Sequence, residues 1–168
     1  MIQSVLKQLD SWYQEPSQGG DRPKLLSKLA VLELCGWIEG ELDRQLLGAQ
    51  NLGLDDEKWI RECVLDRNSG FTYGDHFRVM LTRVFGELLV RKIEMDYDQS
   101  GAGDLEQLKS ILGSLWKIRC DYAHADVTAN VAAQKTFQAP SWAINQHRIV
   151  SKLLLRFEQA TVRALVGT

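Results

Sequence analysis

The chain has 168 residues, of which 45% are hydrophobic and 25% are charged, and its formal net charge is −2. This length and composition predict one well-filled domain spanning residues 1–168. The small net charge excludes attraction to nucleic acid or to an anionic membrane through bulk charge, so any site for a polyanion must be a local patch.

The cysteines and the N-terminus indicate the compartment. Cys35, Cys63 and Cys120 are odd in number and widely spaced, which argues against a disulfide framework and a CxxC metal site and favours a reducing cytosol. His76 and His147 have no partners at metal-ligand spacing. No signal-like segment begins the chain, and no stretch approaches the ~20 apolar residues that span a bilayer. We therefore expect a soluble, cytoplasmic protein with no metal, no cofactor and no membrane partner.

Helical periodicity dominates the chain. Only three prolines occur, each at the edge of a periodic segment, so helices have room to run. Apolar residues recur at three- and four-residue spacings, without persistent strand-like alternation. Asp55, Asp104 and Ser141 stand where they can cap helices. The predicted fold is all-α, an antiparallel bundle of four main helices with one or two short additional helices. In chain order, the predicted helices cover roughly residues 2–14, 23–47, 55–65, 73–95, 104–119 and 141–166.

Arg119 and His124 form the leading candidate site, between two strongly helical stretches. A guanidinium can hold a phosphate in two-pronged geometry and an imidazole can move a proton near neutral pH, so the pair suits chemistry on a phosphodiester. On an unbroken helix, however, a separation of five residues leaves two side chains about 140° apart. Because Cys120, Asp121 and Tyr122 are moderate or poor helix formers, we expect the helix to loosen or end near Arg119 and bring His124 around.

The segment Arg119-Cys120-Asp121-Tyr122-Ala123-His124 resembles the R-x4-6-H motif of the higher eukaryotes and prokaryotes nucleotide-binding (HEPN) family. The helix over residues 30–39 is also similar to the early helix of some prokaryotic members. The resemblance implies a metal-independent endoribonuclease in a toxin or stress and defence role. Two copies of the motif would form one cleft in a homodimer.

Under this resemblance, the 2′-hydroxyl of RNA attacks the neighbouring phosphate and leaves a 2′,3′-cyclic phosphate and a 5′-hydroxyl end, so DNA is not a substrate. His124 would act as general base or acid, and Arg119 would stabilise the transition state. Cys120 departs from the polar residue that commonly follows the family arginine, although Asp121 can supply a polar group. A non-catalytic module that binds RNA, a nucleotide or a protein partner is the alternative, and an antitoxin is a possible partner.

Other residues could support this site or have simpler roles. Asp121, Tyr122 and Glu39 are candidate supporting residues, although Glu39 also fits the polar side of its helix. Arg119 could instead pair with a neighbouring aspartate, while His124 interacts with the end of its helix. Three cations repeat every four residues on the last helix and could guide a phosphate backbone, although a solvated helix face is the commoner explanation of such a pattern. These are Arg148, Lys152 and Arg156.

Overall fold

A computed structural model of the chain describes residues 2–16, 20–48, 56–124 and 137–166. Seven α-helices and two π-helical segments lie within these ranges, and no β-strand occurs in them. The all-α class is therefore confirmed, whereas the antiparallel four-helix arrangement stays a prediction. The helices are α1 (Ile2–Gln14), α2 (Arg22–Leu47), α3 (Glu57–Trp59), α4 (Arg78–Phe85), α5 (Glu87–Ser100), α6 (Asp104–Ala123) and α7 (Pro140–Val166). The π-helical segments are Ile60–Leu65, directly after α3, and Tyr73–Phe77, directly before α4.

The chain forms two compact units. Unit 1 comprises Met1–Trp37 and Lys117–Ile149, and unit 2 comprises Ile38–Trp116 and Val150–Thr168. Helices α2, α6 and α7 each contribute residues to both units. The single domain expected over residues 1–168 stays a prediction.

Unit 1 buries the apolar sides of α1 and α2. The side chains of Leu6 and Leu9, three residues apart on α1, are almost completely buried, as helical spacing predicts. Trp37 at the end of this part of α2 meets His147 on α7 edge to face, with 4.4 Å between ring centroids. Burial lowers the pKa of His147, because an imidazolium is poorly solvated there. The α2 residues in this core are Ala30, Val31, Leu34 and Cys35.

Unit 2 is built around Phe157 of α7, which is fully buried. Its ring centroid lies 5.3 Å from that of Phe77, 6.2 Å from that of Tyr73 and 5.2 Å from that of Tyr97. The Tyr97 hydroxyl donates a hydrogen bond of 3.1 Å to the Leu153 carbonyl, so this phenol is satisfied inside the core. The aromatic cluster thus joins the second π-helical segment, α5 and α7.

A polar network lies on the surface of unit 2. Arg78 at the start of α4 donates through Nε to Glu94, at 2.9 Å, and through both terminal nitrogens to Glu87. The Tyr73 hydroxyl donates to the same Glu94 oxygen, at 2.9 Å. Burial and the Glu94 charge raise the pKa of Tyr73, so the phenol stays protonated as the donor. These groups satisfy one another and connect the second π-helical segment with α4 and α5.

The single helix predicted over residues 73–95 is wrong. The helical region observed there begins as a π-helical segment and breaks at Gly86. The φ of Gly86 is +78°, a backbone conformation that favours glycine. Gly86 still donates its N–H to the Thr82 carbonyl, so it ends α4 while α5 starts at the next residue. Helix α5 then continues to Ser100, beyond the predicted end.

Two helix starts also differ from the predictions. The predicted cap Asp55 lies outside the described residues, whereas Asp56 accepts the N–H of Lys58 at 2.8 Å and caps α3. Helix α7 begins at Pro140 rather than after a Ser141 cap, because proline suits the first helical turn, where its missing N–H is not needed.

Candidate functional site

Helix α6 carries the Arg119–His124 segment without interruption. The helix extends to Ala123, and the N–H of His124 donates to the Cys120 carbonyl at 3.4 Å, so helical hydrogen bonding reaches His124. The expected bend after Arg119 is therefore wrong. Weak helix propensity is overridden here by packing, since the last turn of α6 is anchored through the buried side chain of Tyr122.

Tyr122 connects the last turn of α6 with the residues directly before α7. Its side chain is 4% exposed, and its ring centroid lies 4.8 Å from that of Phe137. Its hydroxyl oxygen accepts the N–H of Gln138 at 2.6 Å. Burial raises the pKa of Tyr122, so the phenol is neutral at physiological pH. These contacts give Tyr122 a positioning role beside the motif.

The continuous helix sets the directions of the two candidate catalytic side chains. Five residues of regular α-helix separate Arg119 and His124 by about 140° around the helix axis. His124 is exposed at the end of α6, whereas Arg119 is half-buried. Within one chain, these two side chains therefore face different sides of the helix. Asp121, three residues before His124, is the predicted supporting residue of α6 on the same side of the helix as His124.

Glu39 lies on α2 beside Asp43, one helical turn later. Asp43 has a raised pKa, first because it is partly buried and then because of the negative charge of Glu39. Glu39 is partly exposed and belongs to unit 2, whereas Arg119 and His124 belong to unit 1. Its predicted role in orienting them stays a prediction.

The three cations of α7 have different surroundings. Arg148 is exposed and donates to the Asn145 side chain at 3.0 Å, and Lys152 is also exposed. Arg156 forms an ion pair with Asp104 and donates to the Ser100 carbonyl at 2.7 Å. Arg156 therefore ties the end of α5 to the start of α6, and an RNA phosphate would have to compete with these partners.

Lys117 was not among the site residues predicted from the sequence. This lysine is exposed on α6, seven residues before His124. On a continuous helix, seven residues return nearly to the same direction, with a drift of about 20°. The seven-residue spacing of Lys117 and His124 can be read from the sequence. The two residues were not grouped, because the helix was expected to loosen between them.

Comparison with known proteins gave no match to any family model, curated protein or solved structure. In the described ranges, no helix is long and apolar enough to cross a membrane. No cluster of three or more His, Cys, Asp or Glu side chains in that part of the chain could hold a metal ion. The functional assignment therefore depends on the motif and on the geometry of α6.

Proposed function

We propose that this protein is a metal-independent endoribonuclease of the HEPN type that acts as a homodimer, with Arg119 and His124 as its catalytic residues. The observation that carries the proposal is the exposed imidazole of His124 at the end of α6, five residues after Arg119. An exposed imidazole is accessible to RNA and can accept or donate a proton, as a general acid or base requires.

The chemistry needs no metal, because the nucleophile belongs to the substrate. The 2′-hydroxyl oxygen bonds to the adjacent phosphorus while the bond from phosphorus to the 5′ oxygen breaks. His124 takes the proton from the 2′-hydroxyl while water protonates the leaving 5′ oxygen, or protonated His124 gives a proton to the 5′ oxygen while water takes the 2′-hydroxyl proton. Arg119 stabilises the negative charge on the non-bridging oxygens through paired N–H donors. The products are a 2′,3′-cyclic phosphate and a 5′-hydroxyl end.

The direction of the two side chains favours a dimeric site. Because α6 presents Arg119 and His124 about 140° apart, one chain does not turn both toward one phosphate. A twofold axis near the ends of two α6 helices would place Arg119 of one copy opposite His124 of the other. We further propose that cleavage takes place in the cytoplasm and serves as a toxin or a stress and defence response, with an antitoxin as a candidate partner.

Cys120 favours a second candidate function. It occupies the position that commonly holds a polar residue in active members of the family, and its thiol is a weak hydrogen-bond group. A chain that lacks this polar group could bind RNA, a nucleotide or a protein partner without cleaving RNA. Asp121 at the next position offers a carboxylate in compensation, which is why cleavage is the first proposal.

RNA cleavage in the presence of EDTA tests the proposal. We expect the wild type to cleave and His124→Ala to lose about 10²- to 10⁴-fold in rate, the usual contribution of acid–base catalysis. Arg119→Ala should lose about 10²- to 10³-fold, the usual cost of removing a donor that stabilises transition-state charge. Arg83→Ala, which removes an exposed arginine from α4, is the matched control and should retain wild-type activity. RNA ends should carry cyclic phosphate and 5′-hydroxyl groups, and DNA should stay intact. Equal cleavage by all four proteins would disprove the site, and binding without cleavage would favour the second function.

A further inference from the structure

We infer that Lys117 is a further substrate-binding residue, which holds an RNA phosphate on the same face of α6 as His124. The inference rests on the proposed function in so far as it takes RNA as the ligand. It starts from the regularity of α6, which is helical from Asp104 to Ala123 and continues its hydrogen bonding to His124.

Helical geometry groups Lys117, Asp121 and His124. Their spacings of four and three residues place all three side chains within a sector of about 60° around the helix axis. Lys117 and His124 are both exposed, and Asp121 between them is partly exposed. Arg119 is about 160° from Lys117 in the same projection. The cation that accompanies His124 within one chain is therefore Lys117 rather than Arg119.

The chemistry of Lys117 suits a phosphate contact. Its ammonium forms no hydrogen bond or ion pair with another residue in the described part of the chain. Along the axis, Lys117 and His124 are about 10.5 Å apart, two turns of helix. A flexible lysine stem can shorten this distance, and an ammonium binds a phosphate as a point charge without strict geometry. Lys117 can thus hold a phosphate beside the one at which His124 acts.

Asp121 limits the strength of this contact. Its carboxylate lies on the same face, one turn from both Lys117 and His124, and repels a phosphate. We therefore expect the contribution of a single ion pair from Lys117, about fivefold in affinity at about 0.1 M salt. Asp121→Asn should have the opposite effect and tighten binding.

Binding to a single-stranded RNA with 2′-O-methyl riboses tests Lys117 without cleavage, because the modified 2′ oxygen cannot attack. Fluorescence anisotropy across a salt series should give Lys117→Gln about fivefold weaker binding and a salt slope smaller by about 0.7. Lys58→Gln is the matched control: Lys58 is exposed on α3 near Glu57 and Glu62, where RNA is repelled, and its loss should change neither value. With cleavable RNA, Lys117→Gln should raise KM and leave kcat nearly unchanged.

The outcomes separate the inference from the proposed function. Equal affinity and salt slope for the wild type and Lys117→Gln would overturn the inference, even if His124→Ala abolished cleavage. If the wild type does not cleave RNA but Lys117→Gln binds RNA more weakly and with a smaller salt slope, the inference would be supported and the nuclease proposal overturned. A wild type that does not bind the RNA would overturn the role of Lys117 as well.

Discussion

Mixing the Arg119→Ala and His124→Ala variants should restore RNA cleavage that neither variant has alone. The reason lies in α6, which is continuous through both positions and turns the two side chains about 140° apart. If a phosphate is held between an arginine and a histidine, those two residues must then come from different copies. A dimer that contains one of each variant keeps one intact Arg–His pair.

The size of the restoration follows from the symmetry of the proposed dimer. Random exchange in an equal mixture makes half of the dimers mixed, and each mixed dimer keeps one of its two pairs, so about a quarter of wild-type activity returns. Alone, His124→Ala should be slower than the wild type by about 10²- to 10⁴-fold and Arg119→Ala by about 10²- to 10³-fold. The mixture should therefore exceed either variant by about 25-fold or more.

A continuous fluorescence assay with cleavable RNA and EDTA measures this effect. The two variants carry different affinity tags, so that sequential capture proves that mixed dimers have formed. The control replaces His124→Ala with the double variant, Arg119→Ala with His124→Ala, which leaves no intact pair in any dimer and should give no recovery. If captured mixed dimers are as slow as the single variants, the pair acts within one chain, and the argument from the helix is refuted.

Three further predictions concern stability and are checked by urea unfolding. Phe157→Ala should lower the free energy of unfolding by about 3–5 kcal/mol, because it empties the centre of the aromatic cluster of unit 2; a loss below about 1 kcal/mol would contradict that packing. Arg156→Gln should lower the urea midpoint, because Arg156 bonds to Asp104 and Ser100, whereas the exposed Lys152→Gln should not; equal effects would contradict this difference. Hydrogen bonds from arginines, that of Arg78 first, lower the pKa of Glu87 from 4.5 to about 2. Because the folded pKa lies below the unfolded value, the Glu87 carboxylate stabilises the protein above about pH 4.5, and this contribution disappears as the pH falls toward 2. Between pH 5 and pH 2, the free energy of unfolding should therefore fall less for Glu87→Gln than for the wild type.

The long helices could be predicted from the sequence because their apolar spacing persists. Helices α1 and α2 begin and end within a residue of the predicted positions. The break at Gly86 was missed because Val84, Phe85, Leu88 and Leu89 keep helical spacing across it, and side-chain spacing does not record a positive φ. The π-helical segments were missed for the same reason, since a local change of hydrogen bonding leaves the apolar stripe nearly intact.

The catalytic role of Arg119 and His124 stays a prediction, and the geometry of the backbone that joins them could not be predicted from the sequence. Arg119 and His124 could be selected by their chemistry and spacing, whereas the state of the backbone between them depends on a distant contact. Tyr122 accepts the N–H of Gln138, sixteen residues later, and such a contact cannot be read from local helix propensity. The expected bend after Arg119 also prevented the selection of Lys117, because only a continuous helix places Lys117 on the same face as His124.

The continuity of α6 through His124 also determines which side chain lies beside Cys120. On a regular helix Cys120 is about 40° from His124 and about 100° from Arg119, so the residue that follows the arginine is a neighbour of the imidazole. A polar side chain there can orient the histidine ring, which a thiol does only weakly. Asp121 is about 60° from His124 on the other side, and a carboxylate can accept an imidazole N–H and fix its tautomer. Under the proposed function, Asp121 can therefore orient His124, and the thiol at Cys120 does not by itself exclude His124 as the acid–base group.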